Sequence, residues 1–163
     1  MLDASLPTVV LAGAGSCGEA VELAEAFGWP LLAEPSSGAR AGANAIIAYR
    51  RILETGELVG EIRRVIVFGK PTLGRAAIRL LFKEEIEVVV VRSKVMGHFD
   101  VSRRAAQVVD EIAIDNDVEF EWLERWRQAD LEIRTSQTQS DSLSRASLVE
   151  AVWAATGEDD LLL

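Results

Sequence analysis

The chain has 163 residues, 49% hydrophobic and 26% charged, which is enough for one domain with a sizeable core. No apolar run approaches the roughly 18 residues of a membrane span, and the opening "MLDASLPT" lacks the basic start and apolar stretch of a signal peptide. A single cysteine, Cys17, excludes an internal disulfide and fits a reducing cytoplasm. A formal net charge of −9 argues against sequence-independent nucleic-acid binding, which depends on neutralising phosphates. Against that acidic background Arg63, Arg64, Lys70 and Arg75 stand out as a local basic cluster.

In chain order, "PTVVLAGA" predicts a strand and "GEAVELAEAFG" a helix ending at Gly28. "WPLLAE" is a second strand, followed after "PSSGARAG" by the helical "ANAIIAYRRILETG". Then come the strand "RVIVFG", the helical "TLGRAAIRLLFKE", and "IEVVVVRS", a strand apolar on both faces. Runs without alternation suit strands covered on both sides, and strand–helix alternation with short connections predicts a doubly wound parallel α/β sheet. "DEIAIDN" is a candidate sixth strand and "DVEFEWLERWRQADLEI" a helix over one edge. Three segments are expected: a Rossmann-like α/β domain over 1–134, a polar Ser/Gln-rich linker over 135–144, and over 145–163 a helix leading toward a C-terminal domain that this piece lacks. In the last of these "RASLVEAVWAATG" is amphipathic, with Leu148, Val149, Val152 and Trp153 on one side. It ends in "EDDLLL" just as an apolar strand begins, which suggests a piece of a larger chain.

Between the first strand and helix, Gly13, Gly15 and Gly18 stand in G-x-G-x-x-G spacing. Glu34 ends the next strand about where a ribose-binding acid sits in dinucleotide-binding folds. The competing reading is a capping box, Ser16 with Glu19, whose side chains satisfy the free amides at the helix start and place a negative charge there. That second reading is preferred; an independent NAD, FAD or ADP module is the alternative. "GKPTLGR" is not a Walker A loop. It is either a plain strand-to-helix turn around Pro71 or an anion-binding turn using Lys70 and Arg75, and the residues alone leave both open.

Other residues carry less. Cys17 has no basic partner nearby in sequence and is expected to be a buried structural thiol. His98, the only histidine, is expected in a loop; Trp122 and Trp126, four apart beside Leu123, read as core. Asp115, Asn116 and Asp117 read as a strand end and helix cap rather than metal ligands. No complete catalytic set is present.

"GWPLLAEPSSGAR", "VIVFGKPTLGR" and "HFDVS" give the chain a resemblance to the middle domain of the MenD family, the 2-succinyl-5-enolpyruvyl-6-hydroxy-3-cyclohexene-1-carboxylate synthases of menaquinone biosynthesis, of actinobacterial type. The resemblance runs from "LPTVVLAGAG" to "LVEAVWAATG", with "AEPSSGAR" and "GKPTLGR" its more specific parts. It implies a Rossmann-like, mostly parallel sheet of about five to six strands that binds no nucleotide.

It further implies a cytoplasmic three-domain enzyme, a homodimer or homotetramer, whose N- and C-terminal domains bind thiamine diphosphate and Mg2+. The implied reaction decarboxylates 2-oxoglutarate and adds the succinyl-semialdehyde unit to isochorismate. The cofactor-activating glutamate of the first domain and the Gly-Asp-Gly segment of the third have no counterpart here, so this piece alone is expected to hold no cofactor and to be inactive. Matched to the family's basic loop residue, Arg75 would bind a substrate carboxylate, as an arginine where some relatives have lysine. Lys70, Arg92 and Lys94 form a candidate regulatory anion site for an aromatic carboxylate product of the pathway.

Overall fold

The computed structural model describes residues 2–3, 5–92, 97–113, 120–138 and 145–157. Within them the strands β1 (Thr8–Ala12), β2 (Leu31–Ala33), β3 (Arg64–Phe68), β4 (Glu87–Val91) and β5 (Gln107–Val109) form one sheet. Its order is β2-β1-β3-β4-β5, and every pair is parallel. This is the expected doubly wound α/β class, with its switch point between β1 and β3. The helices are α1 (Cys17–Ala26), α2 (Tyr49–Thr55), α3 (Arg75–Leu80), α4 (Glu121–Thr138) and α5 (Arg145–Ala155).

The central strands are apolar throughout because both faces are covered. On one face Val9, Leu11, Val65, Val67, Val88 and Val90 pack with Ile52 of α2, Leu80 of α3 and Trp126 of α4. On the other, Val10, Ala12, Ile66, Phe68, Val89 and Val91 meet Trp29 and Ala20 and Ala24 of α1. The period-two alternation of these residues between two cores is the pleat itself. Trp126 is fully buried and Trp122 lies edge-on to it at 5.8 Å, as core spacing requires. The Trp122 indole donates to the Thr8 carbonyl (2.9 Å) and fastens α4 to the start of β1.

Several boundaries differ from the sequence expectation, each for a long-range reason. Of the helix expected over 43–56 only Tyr49–Thr55 forms. Before it, the amide of Leu31 donates to Asn44 and that of Ile46 to Leu31, so this stretch serves β2 instead. Its helix starts where the Ala48 amide finds the Asp130 carboxylate of α4 (2.5 Å). The helix expected from Thr72 starts at Arg75. The last strand is Gln107–Val109 rather than "DEIAIDN": residues 110–113 form no strand, though Leu2 donates to the Ala113 carbonyl, and 114–119, with Asp115, Asn116 and Asp117, lie outside the described residues. Helix α4 continues through Thr138, four residues into the stretch expected as linker. There Ser136 turns its hydroxyl back to the Ile133 carbonyl (2.8 Å). Helix α5 exposes Leu148, Val149, Val152 and Trp153 together.

At the switch point the turns after β1 and β3 are bonded to each other. Ala14 and Lys70 exchange both backbone hydrogen bonds (3.0 and 2.9 Å), and the Gly13 amide donates to Phe68 (2.9 Å). The approach is so close that a Cβ on Gly13 would stand 2.1 Å from the Pro71 nitrogen. Gly69, at φ +62, would put one 2.4 Å from the Ala14 carbonyl oxygen. Gly18 faces open space. Gly13→Ala is therefore expected to destabilise the chain by about 3 kcal/mol through overpacking. Gly18→Ala should stabilise it by about 0.5 kcal/mol through helix propensity. Urea denaturation of the two variants checks this; equal effects would contradict it.

Candidate functional site

The carboxyl edge of the sheet, where ligands of doubly wound folds bind, is built from three loops. β2 leads directly into Glu34, whose amide extends the ladder by donating to Ala12 (2.9 Å). The Glu34 side chain is fully buried and reaches past the end of β1 to the loop after β3. Its carboxylate accepts from three successive amides: Thr72 (2.9 and 3.1 Å), Leu73 (2.7 Å) and Gly74 (2.9 Å). Charge-assisted bonds of this kind offset the desolvation of a buried carboxylate. Ser37 shapes the turn beyond, donating its hydroxyl to the Glu34 carbonyl (2.6 Å) and accepting from Ala39 (3.0 Å). Burial pushes the neighbouring Tyr49 phenol above its ordinary value and the Glu34 charge adds to the shift, with Arg50 and Arg40 opposing it in part.

A second carboxylate organises the loop containing "HFDVS". Asp100 accepts from the Ala105 amide (2.9 Å) and the Ser102 hydroxyl (2.9 Å), and the loop carries Arg103 at φ +58. Burial works to raise the Asp100 carboxyl, but those donors, with the amides of Arg104 and Arg103, outweigh it and hold the group below its ordinary value. Such a carboxylate stabilises the fold fully above the ordinary aspartate value of about 3.9 and loses that contribution as pH falls through its folded value. The stability difference between the native chain and Asp100→Asn is expected to hold from pH 7 to 5 and to shrink as acid is added below pH 4. Thermal unfolding at a series of pH values measures it; a difference undiminished at pH 2.5 would contradict the assignment.

The structure separates the sequence's basic cluster. Arg63 and Arg64 stand at the amino end of β3 and its approach, roughly 16 Å of strand from Lys70 and Arg75. Arg64 is buried against Glu87 (2.6 Å) and the Asp3 carbonyl (2.7 Å). Lys70 is exposed, with Nζ 5.4 Å from the centre of the Phe99 ring. Arg92 pairs with Asp110 (2.8 Å) in a groove whose other charged residues are Glu19, Glu22 and Glu111. Lys94 lies outside the described residues. Lys70 and Arg92 are thus engaged separately, and the amides beside Lys70 are taken by Glu34. Arg75, the first residue of α3, is exposed, and its guanidinium has no ion-pair or hydrogen-bond partner among the described residues.

The capping box does not form. Ser16 is already helical (φ −76, ψ −34) and turns its hydroxyl to the Gly13 carbonyl, with the Phe68 carbonyl at 3.4 Å, and it makes no side-chain bond to a helix amide. What closes the glycine turn is the bonded loop after β3, and what removes the ribose-binding acid is the capture of Glu34 by residues 72–74. His98 is an exposed loop residue; Cys17 opens α1, its side chain outside the described residues. No cluster of three or more His, Cys, Asp or Glu that could hold a metal occurs among the described residues. Sequence reasoning named Glu34 for a different role and missed Asp100 and Asp130. Its one usable signal for Glu34 was position: an acid directly following "LLA", a strand buried on both faces.

Fold and site define a class: a doubly wound all-parallel α/β domain whose switch-point crevice is filled by its own backbone and one buried carboxylate. No family model matches the chain. It is 43% identical over 136 residues to a 2-succinyl-5-enolpyruvyl-6-hydroxy-3-cyclohexene-1-carboxylate synthase of Nocardioides sp., covering 76% of this chain and 24% of that protein. A synthase of the same name from Leifsonia xyli is 46% identical over 101 residues, covering 62% and 17%. Another from Renibacterium salmoninarum is 33% identical over 155 residues, covering 91% and 28%. The chain belongs to this synthase family and spans about a quarter of the length of the relatives it matches.

With the crevice closed, NAD, FAD and ADP are expected to give no binding heat with the chain. Calorimetry revealing a micromolar dissociation constant, about −8 kcal/mol, would contradict the closed site.

Proposed function

We propose that the chain is the central, largely structural domain of a menaquinone-pathway synthase. The whole enzyme would decarboxylate 2-oxoglutarate and add the succinyl-semialdehyde unit to isochorismate. The observation that carries the proposal is Arg75: an exposed guanidinium without a partner among the described residues, at the carboxyl edge of a chain matching these synthases over most of its length. The guanidinium presents a planar fork of donors and no acceptor, so its role is to grip and orient a carboxylate of isochorismate rather than to move a proton.

Thiamine diphosphate, which supplies the carbanion-stabilising chemistry, and Mg2+ are assigned to the N- and C-terminal domains of the full enzyme. Support for that assignment comes from this domain's own donors. The carboxyl-edge amides are committed to Glu34, and the carboxylates of Glu34 and Asp100 to loop amides, so the residues present do not fit the cofactor. The side of α5 bearing Leu148, Val149, Val152 and Trp153 suits packing against another domain or subunit of a cytoplasmic homodimer or homotetramer.

In the full-length synthase, Arg75→Ala is expected to lower kcat/KM for isochorismate by about ten- to a hundred-and-fifty-fold, the loss of one charge-assisted contact. Thiamine diphosphate affinity should stay nearly unchanged. Steady-state kinetics with isochorismate varied decide it; unaltered kinetics would reduce Arg75 to a surface charge.

A further inference from the structure

We propose that Glu34, besides closing the crevice, is the positioning residue that sets Arg75 for the substrate, a role that rests on Arg75 meeting isochorismate as proposed above. Arg75 is the first residue of a six-residue helix, too short to hold its own geometry. No side chain of its own sequence neighbourhood caps it: Gly74, at the cap position, is extended (φ −97, ψ 94) and has no side chain to offer.

What is held instead is the segment leading into the helix, by Glu34, 40 residues before Gly74. Its Oε1 accepts from Leu73 and Gly74, and Oε2 takes the shorter of its contacts to Thr72. Three consecutive backbone units directly before Arg75 are therefore fixed to one buried group whose own backbone is registered in the sheet. Leu73 is 56% exposed and Thr72 is exposed, so packing holds neither of these two residues between the buried Pro71 and Gly74. The carboxylate holds them. A glutamine at this position keeps the shape but replaces one acceptor oxygen with a donor facing backbone amides, which turns the loop away and carries Arg75 with it.

The test is a double-mutant cycle in the full-length synthase with Glu34→Gln, Arg75→Ala and the pair. Glu34→Gln is expected to lower kcat/KM for isochorismate by between about tenfold and a hundredfold, the range a misplacement near 1 Å brings. KM for 2-oxoglutarate and affinity for thiamine diphosphate should hold. In the Arg75→Ala background the same change should cost less than about twofold, because the group being positioned is already gone.

If Arg75→Ala weakens isochorismate use while Glu34→Gln is silent or its effect multiplies in full, positioning is overturned and the substrate role of Arg75 stands. If Arg75→Ala is itself silent, the substrate role fails and positioning with it. Should Glu34→Gln not fold, Glu34→Asp keeps the charge and shortens the reach, and the same non-additivity is required of it.

Discussion

One buried carboxylate holds the functional edge of this domain together. Glu34 spans from the end of β2, across β1, to the loop after β3, and gathers the amides of Thr72, Leu73 and Gly74. In water those amides and that carboxylate would each be solvated; inside the fold they solvate one another. The consequence reaches in two directions. The crevice at the switch point is lined by donors already in use, and the first residue of α3 is placed by a group outside its own helix.

The glycine fingerprint shows how one spacing serves different physics. In dinucleotide-binding domains the glycines let a pyrophosphate approach the backbone. Here Gly13 and Gly69 let two loops of the same chain approach instead, close enough for Ala14 and Lys70 to pair. The third glycine, Gly18, has open space around it and no close packing to permit. A G-x-G-x-x-G run specifies a tight turn beside a near neighbour; whether that neighbour is a ligand or another loop is decided elsewhere in the sequence.

What was legible from the residues alone follows the range of the forces involved. The strands "TVVLA", "RVIVF" and "EVVVV" were readable because coverage on both faces leaves unbroken apolar runs. Helix extents were over-read wherever distant groups claimed the backbone: the Asn44 carbonyl and the Ile46 amide bond to Leu31, and the amides of 72–74 to Glu34. The capping box failed because a serine already in helical conformation turns its hydroxyl back toward the preceding carbonyl. β5 escaped notice because Gln107 and Val108 are exposed, so it carries no buried-strand signature. At the candidate site, Arg75 is named only through the resemblance of "GKPTLGR" to the synthases, whereas the pairing of Glu34 with a loop 38 to 40 residues away leaves no local pattern.

Amide hydrogen exchange at Thr72, Leu73 and Gly74 tests the central role of Glu34 most directly. Thr72 and Leu73 are solvent-exposed residues outside any helix or strand, so nothing but the carboxylate should protect their amides. All three are predicted to exchange slowly in the native chain and to approach unprotected rates in Glu34→Gln, while the β1 and β3 amides stay protected in both. Fast exchange at these three amides in the native chain, or protection that survives the substitution, would contradict it.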